Sequence, residues 1–280
     1  MLNARHLPVL MYHHVSRCPG LVTLSPETFC EQMEWLAKNN WRTVTSAELE
    51  YFYQGGTLPR KSVMITFDDG YLDNWFRAWP VLKEYNLHTH IFLITGLIGD
   101  GKVRYRQKRE YSHRDCEQLI ADNRSDEVML RWSEVREMRD SGLVEFHLHT
   151  HSHKRWDRLS VPRTEQCRLM EEAIMTGKQC LKEKLGYCSP HLCWPAGYYS
   201  RDYINLTREL GLSYLYTTER RMNCPVKGSL LIGRISTKER EYCGWLKRCL
   251  FIISRHFSLH YWLFIRGQDY QRINNEDFIH

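Results

Sequence analysis

Short apolar runs alternate along this chain with longer stretches whose apolar positions recur every three or four residues. That is the pattern of βαβ units feeding a mainly parallel sheet. Val9–Tyr12 is a compact apolar run ending in His13 and His14. From Thr28 to Asn39 the positions Phe29, Met33, Leu36 and Ala37 keep a helical period, with Ser25 the expected N-cap and Pro26 at the first helical position. Arg42–Thr45 reads as a short extended piece, and Ser46 as the cap of a helix through Tyr53. Gly55, Gly56 and Pro59 mark a loop before the buried strand Ser62–Phe67. Asn74 to Tyr85 reads as helix despite Pro80, and His90–Ile94 as the next strand.

From Gly99 to Asp126 the periodicity fails, and this polar, Arg- and Lys-rich stretch reads as an insertion or lid loop. Regularity returns with a helix over Trp132–Asp140, ended by Gly142, and a strand over Leu143–Leu148. A long amphipathic helix spans Thr164 to Leu185 and closes at Gly186. His191–Trp194 reads as strand, Asp202–Leu210 as helix stopped by Gly211, and Tyr214–Thr217 as strand. Leu230–Ile235 is expected to be the last strand, which divides the chain into a catalytic-sized domain over 1–237 and an extension over 238–280. Between Tyr242 and Gln268 the extension has four Lys or Arg residues and no acid, amid Trp245, Phe251, Phe257, Tyr261, Trp262 and Phe264. Arg255, His256 and His260 interrupt it too often for a transmembrane helix. Two readings stay open for it: a helix docked on the domain, or one lying on a membrane surface.

Composition narrows this only a little. A hydrophobic fraction of 42% and a charged fraction of 26% over 280 residues are those of an ordinary globular chain. The net charge of +6 fits a nucleic acid, an anionic membrane or an acidic glycan equally. The basic run Lys102–Arg109 is short and reads as solvated loop, so no nucleic-acid partner is expected. Met1 to Pro8 holds no apolar signal core and no small-residue cleavage site, so the expected location is cytoplasmic, peripheral at the inner membrane face if the extension binds there. The ten cysteines are then expected to be reduced, mostly as small buried apolar residues.

Two places concentrate ligand-type side chains, each just past a predicted strand, where the active sites of α/β barrels and sheets lie. One is Thr66-Phe67-Asp68-Asp69-Gly70. Neighbouring buried carboxylates repel, and a cation or a proton resolves the conflict. One can bind a metal while the other stays free as a base. The second place is His147 to His153, where every odd position is histidine. On a strand all would share a face; on a helix or turn His149 and His153 would be neighbours. Asp69, His149 and His153 make an incomplete shell suited to zinc or a similar divalent ion, leaving room for water and substrate.

With these motifs the chain resembles the polysaccharide deacetylases, the NodB-homology or carbohydrate esterase family 4 enzymes. The likeness runs from Pro8 to about Thr237 and rests on Pro8 through Val15, on Thr66 through Gly70, and on Glu145 through His153. In style it lies near the poly-N-acetylglucosamine deacetylases. It implies an α/β fold of the distorted, incomplete (β/α) barrel type, with one divalent metal held by Asp69, His149 and His153. Zinc is the expected ion, with cobalt, nickel or iron as alternatives. Asp68 would be the general base.

Two family features differ. The usual Arg-Pro-Pro-Tyr-Gly motif corresponds to Cys193-Trp194-Pro195-Ala196-Gly197, which removes the arginine that orients the base. The N–H of Ala196 can still serve an oxyanion, and Ala196, Trp194 and Arg234 are the expected substrate and oxyanion residues. Arg234 is also positioned in sequence to replace the missing arginine. The late Leu-x-His motif that supplies the general acid has no counterpart, and His13 is the expected substitute, with His14 and His151 as alternatives.

The implied activity is removal of N-acetyl groups from amino sugars of a surface polysaccharide or lipid-linked glycan. Two other readings remain open: an O-acetyl esterase or deformylase on the same fold, and a catalytically silent glycan-binding scaffold. Oligomeric state is not legible.

Overall fold

The computed structural model describes residues 3–107, 109–221, 223–225, 231–237 and 243–254. Eleven strands are described: β1 (Val9–Tyr12), β2 (His14–Val15), β3 (Thr23–Leu24), β4 (Arg42–Thr43), β5 (Ser62–Phe67), β6 (Thr89–Leu93), β7 (Val144–Leu148), β8 (His191–Cys193), β9 (Tyr214–Tyr216), β10 (Leu231–Ile232) and β11 (Ile235–Ser236). The helices are α1 (Pro26–Lys38), α2 (Ser46–Tyr53), α3 (Trp79–Glu84), α4 (His113–Ala121), α5 (Trp132–Asp140), α6 (Arg163–Leu185), α7 (Arg201–Glu209) and α8 (Cys243–Ser254). The large sheet runs β10-β9-β8-β7-β6-β5-β1-β11, with β4 added beside β5, and its pairings are parallel. Its two ends, β10 and β11, are separated in sequence only by Gly233 and Arg234. The sheet therefore curls into the expected distorted, incomplete barrel.

Strand alternation gives this curl two cores. The outward set, including Leu10, Ile65, Phe67, Ile91, Phe146, Leu148, Leu192 and Leu215, packs against the surrounding helices. The inward set, Val9, Met64, Phe92, Cys193, Tyr216 and Ile232, fills the barrel together with Leu49 and Phe52 of α2, which plugs one end. Cysteines are split between roles: among the described residues nine are free thiols, and only Cys116, Cys193 and Cys249 are buried. Most are half-buried, contrary to the expectation.

Local signals account for most boundaries. Ser25 caps α1 by accepting from the Thr28 N–H, and Pro26 opens the helix. Pro80 is absorbed because the preceding turn, Asn74–Ala78, is π-helical, with the Trp79 N–H bonded to Asn74 O. The cap of α2 is Thr45, not Ser46, because Glu48 stands three residues after Thr45 and completes a capping box. The polar stretch expected as loop contains α4, capped by a Ser112–Asp115 box and buried through Cys116 and Leu119. Around it, Arg104 is a framework residue. Its Nε and an Nη each donate to the buried Glu134 carboxylate at 2.7 Å, and it also binds the Met129 carbonyl at 2.7 Å.

The expected strand Leu230–Ile235 is two pieces joining opposite ends of the sheet; Leu230 lies outside the described residues. The break falls at Gly233, where a Cβ would stand 2.8 Å from Glu219 O, so the chain turns against a neighbouring backbone segment. Of the extension, α8 is described and docks through Leu246, Cys249 and Leu250, with Lys247 reaching Glu31 of α1 at 3.8 Å. Residues 255–280, where the membrane-surface reading mainly falls, lie outside the described residues. Among the described residues no helix is long and apolar enough to cross a membrane.

Gly177 of α6 lets that helix approach the segment after β7. A Cβ there would stand 2.5 Å from Leu148 Cδ1 and 3.3 Å from the His151 nitrogen, which donates to Ala173 O at 3.0 Å. Gly177→Val is expected to lower stability by about 1–3 kcal/mol although it removes a helix glycine. The measurement is the urea midpoint; an unchanged midpoint would mean that this close approach is unconstrained.

Candidate active site and metal centre

Register assembles the site. Tyr12 pairs with Phe67, so the next residues, His13 and Asp68, leave adjacent strand ends together, His13 Nε2 lying 3.6 Å from Asp68 Oδ2. Leu148 pairs with Leu192, which brings His149 level with Cys193, and Cys193 pairs with Tyr216, itself paired with Ile232. Two residues beyond Ile232 is Arg234. Its guanidinium grips Asp68 with both arms, Nη1 to Oδ1 and Nη2 to Oδ2, each at 2.7 Å. The remaining donors go to Thr217 O at 2.9 Å, Thr66 Oγ1 at 3.3 Å and Cys193 Sγ at 3.1 Å. Arg234 is 1% exposed and Asp68 is 2% exposed, so this is a buried, bidentate ion pair. Arg234 thus faces Asp68 rather than open space, with the Cys193 thiol beside it.

Burial alone would raise the Asp68 carboxyl, but the charge of Arg234, then His13 and the Arg234 hydrogen bonds, bring it down to about 2. It is ionised at neutral pH. His13 is pushed below its ordinary value by burial, against the pull of Asp68 and Asp69.

Asp69 turns the other way from its neighbour. Its φ of 73° lies in the left-handed region, and Gly70 follows at 86°, where a Cβ would meet Leu93 Cδ2 at 2.6 Å. That turn aims Asp69 Oδ1 at two imidazoles, His149 Nε2 at 3.3 Å and His153 Nε2 at 3.7 Å. His149 donates from Nδ1 to Cys193 O at 2.8 Å, which directs Nε2 into the site. Despite the two nearby nitrogens, Asp69 Oδ1 is buried without a hydrogen bond. An orphaned carboxylate oxygen is costly, and it needs a positive partner. The ligand atoms of Asp69, His149 and His153 lie within 4.8 Å of one another. Two nitrogens and one carboxylate oxygen in a half-buried cleft fit a divalent ion of the zinc type.

Charge is divided consistently with that fit. Burial acts against the charged form of Asp69, yet its histidine neighbours hold it well below the usual carboxylate range. Burial also opposes a charge on His149, but Cys193 and Asp69 raise it well above its ordinary value. His153, buried and beside His149, falls to about 4. Asp69 would hold a dication in its ionised form, with the two imidazoles offering their Nε2 atoms beside it.

Backbone strain concentrates here. Seven described non-glycine residues have positive φ; Asn40, Asn86 and Asn123 each follow a helix end, as asparagine tolerates. The other four are Asp69, Thr150, His153 and Ala196, all in loops at this end of the barrel. Such residues cost on the order of 1–3 kcal/mol each and persist where the surroundings over-determine them.

Other expected residues lie differently. Ala196 is exposed at φ 53° in the turn after β8. Trp194 is fully buried against Tyr199 and Tyr203, forming the wall behind the site rather than its surface; its Nε1 has no hydrogen-bond partner. His14 is drawn away to Asp73 at 2.6 Å and His113 at 3.2 Å, and His151 to Thr95 at 2.9 Å. Only His13 of the three faces Asp68. Sequence reasoning missed Asp73 and His113, which sit far apart in the chain and join only through His14.

Comparison with known proteins agrees with this architecture. The sequence profile of the family described as polysaccharide deacetylase matches residues 55–215, more than half of the chain. A poly-beta-1,6-N-acetyl-D-glucosamine N-deacetylase of Staphylococcus aureus (strain MRSA252) is 24% identical over 233 residues, covering 81% of this chain and 71% of that relative. The solved structure of IcaB from Ammonifex degensii is similar with a TM-score of 0.69 at 27% identity, covering 86% of this chain and 97% of that one. The Streptococcus pyogenes deacetylase PplD shares the fold with a TM-score of 0.70 at 20% identity, over 88% of this chain and 98% of its own. The family is generally metal-dependent, as the donor set here leads one to expect. With more than half its length matched and the barrel in common, this chain belongs to the polysaccharide deacetylase family.

Proposed function

We propose that this chain hydrolyses the acetamide of N-acetylglucosamine-type residues in a surface polysaccharide or a lipid-linked glycan. The observation that carries the reading is the pairing of Asp68, ionised in the grip of Arg234, with the unsatisfied Asp69 oxygen facing His149 and His153. The curated relative named as a poly-beta-1,6-N-acetyl-D-glucosamine N-deacetylase supports the sugar class. Asp69, His149 and His153 would hold one divalent ion, most simply zinc. Such an ion, when bound, supplies Lewis acidity toward the amide carbonyl and makes water more acidic.

The protein's own groups divide the remaining work. Asp68 accepts the proton of the attacking water, and Arg234 holds its carboxylate in place and ionised. The Ala196 N–H is the donor offered to the developing oxyanion. His13, kept neutral by burial with its imidazole 3.6 Å from Asp68, passes on to the departing amine the proton that Asp68 takes from the water. A carboxylate already ionised at neutral pH is a weak base, so its effect comes from position more than from basicity.

Chelation tests this reading. Enzyme stripped of metal is expected to lose at least 99% of its activity on N-acetylglucosamine oligomers, read as free amine, and to recover it with zinc or cobalt alone. Full activity in the stripped protein, or cleavage of an O-acetyl ester with no cleavage of the acetamide, would overturn it.

A further inference from the structure

A second group of ligand-type side chains lies at the opposite end of the strands. His88 precedes β6, His90 lies on it, Glu145 and His147 lie on β7, and His191 opens β8. The register sets His90 opposite Glu145 and Phe92 opposite His147. On β7 the cluster and the site diverge: Glu145 is near the strand's start and His149 just past its end, about 13 Å apart at an extended rise. None of these residues enters the proposed reaction.

Hydrogen-bond logic fixes what they offer. Val44 O can only accept, so His90 carries its proton on Nε2, 2.9 Å away, and turns a lone pair inward from Nδ1. That lone pair accepts from the His147 Nε2–H at 3.1 Å, a bond that a metal on His90 would replace. His88 Nε2 lies 3.2 Å from Glu145 Oε1, and His147 Nε2 lies 3.9 Å from Glu145 Oε2. His88 Nδ1 is buried with no hydrogen-bond partner. Glu145 also accepts the backbone N–H of Ser46 at 3.2 Å on the same Oε1, and the Ser46 hydroxyl on Oε2. Donor atoms of His88, His90 and Glu145 all fall within 4.8 Å of one another.

A tetrahedral shell with bonds of about 2.0–2.1 Å has edges of about 3.3 Å. The separation of 3.2 Å between His88 and Glu145 matches such an edge as well as the 3.3 Å between His149 and Asp69 does. Side-chain exposures of 12% for His88 and 28% for Glu145 leave a route in from solvent. Two imidazoles and one carboxylate suit borderline divalent ions rather than calcium or magnesium.

We propose that His88, His90 and Glu145 form a second, structural site for a divalent transition ion. It ties β6 to β7 and, through Ser46, to the helix that plugs this end of the barrel.

The test uses the full chain, stripped of metal and then loaded with zinc or cobalt alone. Metal per chain is counted by mass spectrometry, and ligand type is read from the cobalt absorption bands. Wild type is expected to hold about two ions, His88→Ala and Glu145→Gln about one each, His149→Ala about one, and the His88→Ala/His149→Ala pair none. Zinc should raise the melting temperature of His149→Ala but not of the double variant. Glu145→Gln is nearly isosteric, so it serves if His88→Ala folds poorly. One ion in wild type that is lost in His149→Ala overturns the proposal, as do two ions retained in both His88→Ala and Glu145→Gln.

Discussion

Asp68→Asn is expected to keep the metal content of the wild type while turnover on N-acetylglucosamine oligomers falls by roughly 10²–10⁴-fold, the range for loss of a positioned general base. His149→Ala is expected to fail differently, losing one ion per chain together with activity. The contrast follows from the turn at Asp69 and Gly70. Asp68 points to Arg234, and Asp69 points to the two imidazoles. Neighbours in sequence, the two carboxylates thus face different partners, and their roles separate by substitution. Asparagine keeps the shape of Asp68 but leaves Arg234 buried without its counter-charge, so a lower melting temperature is expected as well. Turnover is therefore read well below that temperature. Metal loss in Asp68→Asn, or turnover within a few-fold of wild type, would remove Asp68 from the role of base.

What the sequence made legible was mostly local. Helices α1, α5, α6 and α7 could be placed because periodicity and punctuation agree within one segment, as at Ser25 and Pro26 or at Gly186. At the start of α2 two local signals compete. Thr45 and Ser46 are both good caps, and only Glu48 distinguishes them. In the 99–126 stretch, abundant Arg and Lys hid the Ser112–Asp115 box and the spacing of Cys116 and Leu119. The last strand differs from its expected span for a non-local reason: Gly233 turns where the two ends of the curled sheet meet, and closure of a sheet leaves no periodic trace.

The candidate site divides in the same way. Asp68, Asp69, His149 and His153 were visible because each group is contiguous and follows an apolar run. Their orientation was not, since it depends on left-handed backbone at Asp69, Thr150 and His153; Asp and His tolerate that region better than most residues, but tolerance does not say which positions adopt it. His147, which the sequence grouped with His149, belongs instead to the cluster at the other end, bonded to His90 and Ser189. Strand alternation put both histidines on the barrel's inner face; their distance along the strand separated them. Arg234 was only a substitution by analogy. Its partner is 166 positions away, and the span matched by the family profile, 55–215, contains neither Arg234 nor His13.

Arg234→Ala should be the most damaging single change to both stability and pH behaviour. It leaves Asp68 as a buried carboxylate with no guanidinium, and breaking one partner out of such a pair costs about 3–5 kcal/mol. The sign with pH follows from the shift. In the wild type the folded carboxyl sits at about 2, below the reference value of 3.8, so its contribution is fully present above the reference value and lost as pH falls toward 2. In Arg234→Ala burial is no longer offset by that cation, and the carboxyl moves upward. The stability gap between the two proteins is then widest near neutral pH and narrows in acid, because the variant protonates Asp68 where the wild type does not. The acid limb of turnover should move to higher pH in step. Arg234→Lys keeps a charge but loses the two-armed grip, and should fall between them. Pairing Arg234→Ala with Asp68→Asn removes both charges and should recover part of the lost stability, which urea midpoints across pH would show. Equal stability of wild type and Arg234→Ala at neutral pH would mean that the ion pair holds neither the fold nor the base.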